Sequence, residues 1–185
     1  MNPTSDEPTE LVRLLARTAL QDANAFAELY RRTSARLFGI ALRMLSDRGE
    51  AEDVLQEVFT AVWRRAEAFD PALAGAMTWL VALTRNRAID RLRQRRESAP
   101  DDPIDLDRFA DERPGPAAQT EASLEYRRLQ SCLDELDPNH SRSVREAFFS
   151  GATYNELAQR CRVPLGTMKS WIRRALIQLR ACLES

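Results

Sequence analysis

Two helix-like runs held apart by four residues set the narrowest limits on how this chain folds. Tyr154 to Cys161 and Gly166 to Leu183 flank Arg162-Val163-Pro164-Leu165, which is the punctuation of a helix-turn-helix. Thr153, followed three positions later by Glu156, forms a capping box. In it the threonine oxygen and the glutamate carboxylate accept from backbone N–H groups that have no partner at a helix start. In the second run Met168, Ile172, Ala175, Leu179 and Leu183 recur at steps of four, three, four and four, which predicts one buried face. Lys169, Ser170, Arg173, Arg174 and Arg180 lie largely off that stripe. A helix that buries one side and offers cations and a hydroxyl on the other suits the major groove of DNA. A helical hairpin with a solvated basic face is the plainer outcome of the same spacing.

Charge restricts what such a motif can do alone. A net charge of −1 and a pI near 6.0 tell against a free-standing DNA binder, whose domain is usually strongly basic. The charge is distributed in blocks, however. Residues 1–96 carry 15 Arg against 13 acids, residues 97–120 carry two Arg against seven acids, and residues 121–185 carry ten cations against eight acids. Two mildly basic blocks therefore flank an acidic strip. That strip, ESAPDDPIDLDRFADERPGPAAQT, contains four prolines and no helical period. It reads as a linker, extended or disordered when free, that reaches roughly 80 Å when stretched at about 3.4 Å per residue.

On either side of the linker periodicity predicts helices almost everywhere and strands almost nowhere. A short helix from Leu11 to about Leu20 leads to a long one from the cap Asp22 to Leu45, broken by Ser46-Asp47-Arg48-Gly49. A third runs from Glu50 to Glu67 with Ala51, Val54, Leu55, Val58 and Val62 facing inward. After the loop Phe69 to Gly75, a fourth from Ala76 to about Gln94 is apolar in AMTWLVAL, then carries six arginines and one acid in TRNRAIDRLRQRR. Its core is expected to hold Trp79, Leu80, Leu83, Ile89 and Leu92, with the arginines projecting outward. Beyond the linker come a helix over Glu121–Leu136, a stop at Asp137-Pro138 and a helix over Ser141–Ser150 closed by Gly151, before the two motif helices. The expected fold is all-α, with two small helical domains over residues 1–96 and 121–185.

Several classes are disfavoured. No apolar run approaches the roughly 18 residues of a membrane span, and MNPTSDEPTE is acidic where a secretory signal is basic, so a cytoplasmic protein with no direct membrane insertion is expected. Cys132, Cys161 and Cys182 are odd in number and widely spaced, and His140 is the single histidine. Neither a metal site nor a disulfide pattern follows, and the cysteines are expected to be small buried hydrophobes. Without a phosphate-cradling glycine loop or a nucleophile–base cluster, no enzyme and no cofactor are expected. Asp53 and Glu57, one helical turn apart, fit a solvated or partner-binding face better than paired acid–base chemistry.

Three blocks, taken in order, carry a resemblance that covers about Ala23 to Leu183. DRGEAEDVLQEVFTAVWRRAEAFDP, AMTWLVALTRNRAIDRLRQRR and, across the acidic linker, YNELAQRCRVPLGTMKSWIRRALIQLR together resemble an extracytoplasmic-function (ECF) sigma factor, one of the smallest, two-domain members of the main bacterial sigma family. The resemblance implies a subunit that directs RNA polymerase core to promoters without catalytic activity of its own. It also implies that Asp53, Gln56 and Glu57 contact the clamp helices of the largest polymerase subunit, while the second domain meets the flap region. The loop Phe69 to Gly75, including Asp70, Ala72 and Leu73, is similar to the one that captures a base flipped from the minus-ten element, and extrusion costs a few kcal/mol of stacking. The melting surface would lie at Thr84 to Arg91, with Asn86 where duplex becomes single strand and Arg85, Arg87 and Arg91 on phosphates.

Gly166, Thr167, Lys169, Ser170, Arg173 and Arg174 match the face that reads the minus-thirty-five element. Trp171 and Leu176 depart from the family, which more often has arginine there; Trp171 is expected to pack against the first motif helix. The resemblance further implies a stress-responsive monomer when free, held by an anti-sigma factor, membrane-anchored or soluble, and an acidic linker drawn into the basic RNA-exit path of the polymerase. A stand-alone helix-turn-helix regulator is the alternative reading of the same motif.

Overall fold

A computed structural model describes residues 7–98 and 121–184, and every regular element among them is helical. The linker expected at 97–120 lies outside the described residues, apart from its first two, which continue a helix. The chain forms two compact units, Met1–Pro100 and Asp101–Ser185.

In the first unit α1 (Glu7–Ala19), α2 (Ala23–Leu45), α3 (Arg48–Arg65), a 3-10 turn (Ala66–Ala68) and α4 (Ala76–Ser98) follow in order. Asp22 caps α2 as expected, its Oδ1 accepting from Asn24 and Ala25 N–H at 3.0 and 3.1 Å. The break after α2 is sharper than its residues suggested. Ser46 takes a left-handed conformation (φ 53°) and returns its N–H to the Leu42 carbonyl, and Asp47 already caps α3 through Glu50 N–H at 2.8 Å. Asp47 is therefore a helix start as well as a helix breaker.

α2 lies against α1, α3 and α4. The core between them is made by Leu11, Leu14 and Leu15 of α1, Leu29, Leu37 and Met44 of α2, Val54, Val58 and Val62 of α3, and Leu80 and Ile89 of α4. Each such side chain contributes on the order of 1.5–3 kcal/mol by leaving water. Three threonines are buried with them. Thr18, Thr33 and Thr84 each donate to the carbonyl four residues earlier, at 2.7–2.9 Å, so a polar group enters the core already satisfied. Thr84 thus faces inward and drops out of the expected melting surface.

The second unit contains α5 (Glu121–Asp134), α6 (Pro138–Phe149), α7 (Tyr154–Cys161) and α8 (Leu165–Glu184). Asp137-Pro138, expected to stop α5, instead starts α6. The Asp137 carboxylate accepts from Asn139 and His140 N–H, and Pro138 occupies the first helical turn, where a missing N–H costs nothing. At the other end Gly151 (φ 66°) supplies the left-handed turn expected of it.

Two apolar clusters hold these helices. One joins α5 and the turn after it to α8 through Cys132, Leu133, Leu136, Ala175 and Leu179. The other joins α7 to α8 through Leu157, Ala158, Met168 and Ile172, with Trp171 packed on its edge. Cys132 is buried as expected, but, contrary to the expectation of no disulfide, it is bonded to Cys182, 50 residues away, joining α5 to α8, while Cys161 remains a free thiol. Sequence spacing did not reveal the pair because the two cysteines meet only when both helices present their apolar faces to one core.

Candidate nucleic-acid interface

The orientation of α8 follows from what precedes it. Thr153 Oγ1 accepts from Glu156 N–H at 3.2 Å while Glu156 Oε2 accepts from Thr153 N–H at 2.6 Å, closing the capping box and fixing where α7 begins. α7 ends at Arg162, which adopts the left-handed conformation (φ 53°, ψ 42°) and donates its N–H to the Ala158 and Gln159 carbonyls. A non-glycine residue in that region is uncommon, and no sequence signal marked it. Pro164 then places its carbonyl 3.1 Å from Met168 N, so α8 starts at once.

Because Met168, Ile172, Ala175 and Leu179 are buried, Gly166, Lys169, Arg173 and Arg174 stand exposed, with Thr167 and Ser170 half-buried beside them. A Cβ added at Gly166 would meet nothing within 4 Å, so the start of α8 is open to a close approach. Arg174 donates to Ser170 Oγ at 2.9 Å, which holds its guanidinium along the helix. Trp171 packs into the α7–α8 cluster, as expected, and also against the His140 ring (5.8 Å between centroids). Leu176 is exposed.

In the first unit the loop before α4 is built by its own aspartate. Asp70 Oδ1 accepts from Ala72 N–H at 2.8 Å and its carbonyl from Leu73 N–H at 3.1 Å, forming a tight turn that leaves Leu73 84% exposed. Phe69 and Trp79 meet with their rings tilted, 5.6 Å between centroids, and Trp79 is only half-buried, so it props the loop from its edge instead of entering the core as expected. Further along α4, Asn86 and Arg87 are exposed and Arg85 is half-buried.

Arg91 and Arg95 behave differently from the outward-facing arginines the sequence implied. Arg91 Nη2 donates to Glu57 Oε1 at 2.7 Å, and Nη1 lies 3.9 Å from Asp53 Oδ2. Arg95 donates to Glu50 at 2.8 Å and to the Leu45 carbonyl at 3.1 Å. Arg91 thus ties α4 to the middle of α3, and Arg95 ties it to the α2–α3 corner. Asp53, Gln56 and Glu57 sit together on the exposed side of α3. That face is bordered on one edge by Arg91 and on the other by aromatic rings, where Phe26 and Tyr30 of α2 meet Phe59 and Trp63.

Sequence models of two regions match the chain: Sigma-70 region 2 over residues 29–98 and Sigma-70, region 4 over residues 132–181. The ECF RNA polymerase sigma factor SigK of Mycobacterium tuberculosis (strain ATCC 25618 / H37Rv) is 35% identical over 181 residues, spanning 95% of this chain and 95% of that protein. The chain belongs to the ECF RNA polymerase sigma factors. SigK of Mycolicibacterium vanbaalenii is also 35% identical to this sigma factor, over 94% of the chain and 89% of the relative. Among solved structures, Rhodobacter sphaeroides SigE in complex with the anti-sigma ChrR is 36% identical, with a TM-score of 0.49, covering 91% of this chain and 98% of that one. CnrH in complex with the cytosolic domain of CnrY is 23% identical, with a TM-score of 0.42, covering 95% and 97%. In this sigma factor the region 2 match spans the α3 acidic face, the Asp70 loop and the exposed part of α4, and the region 4 match spans the exposed face of α8.

Proposed function

We propose that this sigma factor recognises promoters through two separate surfaces once core polymerase holds it. Gly166, Thr167, Lys169, Ser170, Arg173 and Arg174 read the minus-thirty-five element in the major groove. Asp70, Ala72 and Leu73 receive a flipped minus-ten base, and Arg85, Asn86 and Arg87 attend the opening strand. Asp53, Gln56 and Glu57 dock on the clamp helices of the largest polymerase subunit. The single observation that carries this reading is the division of α8, whose buried Met168, Ile172, Ala175 and Leu179 leave Lys169 and Arg173 on the outside.

The protein acts in the cytoplasm, is not itself an enzyme, and is held in check by an anti-sigma factor until stress releases it. Exposed Leu176 and Ile177 offer such a partner apolar ground beside the DNA-reading face. Run-off transcription with purified core polymerase on the promoter of the protein's own operon tests the central claim. Added transcript and core binding are expected. Binding of an operator unaided, with neither core binding nor added transcript on any genomic template, would instead favour a stand-alone regulator.

A further inference from the structure

Asp53 and Glu57 lie one turn apart on α3, a spacing at which like charges repel. Between them reaches a cation from another helix. The Arg91 side chain is only 27% exposed, against 63% for Asp53 and 46% for Glu57. The arginine is therefore tucked behind two carboxylates that remain open to a partner. Arg95, one turn further on, fastens Glu50 in the same way, so two arginine rungs fix α4 along the edge of α3. An arginine committed to a carboxylate at 2.7 Å would have to break that bond to reach a phosphate, whereas Arg87, one turn earlier, is exposed.

We infer that Arg91 is a positioning residue for the polymerase-docking face: it orients Glu57 and Asp53 for the core enzyme and does not touch promoter phosphate. The inference rests on the reading of α3 as the docking face. Its fork shape matters, since a guanidinium can address both carboxylates at once where an ammonium is a point charge. Holding the two side chains in place before docking removes part of the ordering cost that binding would otherwise carry.

The test measures the affinity of the full chain for core polymerase and, separately, the salt dependence of promoter binding by saturated holoenzyme. Arg91→Gln should weaken core binding by about five- to ten-fold. Its loss should be less than additive with that of Glu57→Gln, and Arg91→Lys should recover part of it. The log–log salt slope of promoter binding should stay at the wild-type value, because an arginine that neutralised a phosphate would take about 0.9 off the slope when removed. Arg95→Gln, which removes the neighbouring rung and leaves Glu57 alone, should keep core affinity within about two-fold, separating orientation of the acids from general helix packing.

Unchanged core affinity in Arg91→Gln overturns the inference, whether or not the salt slope falls. So does an equal loss in Arg95→Gln. If Asp53→Asn and Glu57→Gln themselves leave core affinity intact, the docking reading of α3 has failed and the role of Arg91 falls with it. Loss in those two variants without loss in Arg91→Gln defeats the inference alone.

Discussion

Cys132 near the end of α5 is bonded to Cys182 in the last turn of α8, closing a loop that contains the whole helix-turn-helix. A cross-link over 50 residues removes chain entropy from the unfolded second unit, on the order of 4 kcal/mol in the entropic picture. Thermal unfolding in the presence of a thiol reductant should therefore occur at a lower temperature than under oxidising conditions. Cys132→Ser should match the reduced protein and be insensitive to reductant. Equal midpoints for the oxidised wild type and Cys132→Ser would count against a stabilising bond.

Acid should loosen the start of α2. Hydrogen bonds from Arg31 and then Arg32 bring the Glu28 carboxyl down to about 2, and the Ala25 backbone N–H, with Arg17, lowers that of Asp22. Both groups are more acidic folded than unfolded, so their stabilisation is present above the ordinary values of 4.5 and 3.8 and is lost as pH falls below them. For Glu28 the window runs from 4.5 down to about 2. Denaturant melts across that window should show a smaller loss for Glu28→Gln than for the wild type. Both carboxylates lie at the surface, so added salt should shrink the difference.

The turn between α7 and α8 carries avoidable strain at Arg162. Left-handed backbone costs a non-glycine residue about 1–2 kcal/mol, while glycine gives back about 0.4–1 kcal/mol by freeing the unfolded chain. Arg162→Gly should thus raise the stability of the second unit by about 0.5–1 kcal/mol, read as an increase in the midpoint of chemical unfolding. A decrease would mean that the Arg162 side chain makes a contribution larger than its backbone penalty.

The two proposed DNA surfaces should fail in different ways. Replacing Lys169 and Arg173 with Ala should weaken holoenzyme binding at the upstream element and lower the salt slope by about 0.9 for each phosphate that is no longer neutralised. Replacing Asn86 and Arg87 should leave upstream binding largely in place and reduce strand opening, read as permanganate reactivity of promoter thymines. Wild-type reactivity in the Asn86→Ala variant would remove that residue from the opening step.

The features legible in the chain were those whose causes lie within a few residues. The Asp22 cap, the Thr153–Glu156 box and the buried stripe of α8 all arise from backbone N–H groups seeking the nearest acceptor or from a 3.6-residue period. Local causes still leave an ambiguity where one residue type serves two purposes. Asp47 and Asp137-Pro138 break one helix by starting the next, and Thr84, which the resemblance put on the melting surface, is instead satisfied in the core by a carbonyl four residues back.

By itself, then, the sequence determined the order of the helices, where most of them start and stop, and which face of α8 is basic, because those properties are local. The tertiary structure alone decided which residues from distant segments meet. Arg91 with Glu57, Arg95 with Glu50, Cys132 with Cys182 and His140 with Trp171 are each brought together by helix faces that share a core or an edge. That sharing depends on the rotation of one packed helix against another, and no spacing along a single chain encodes it.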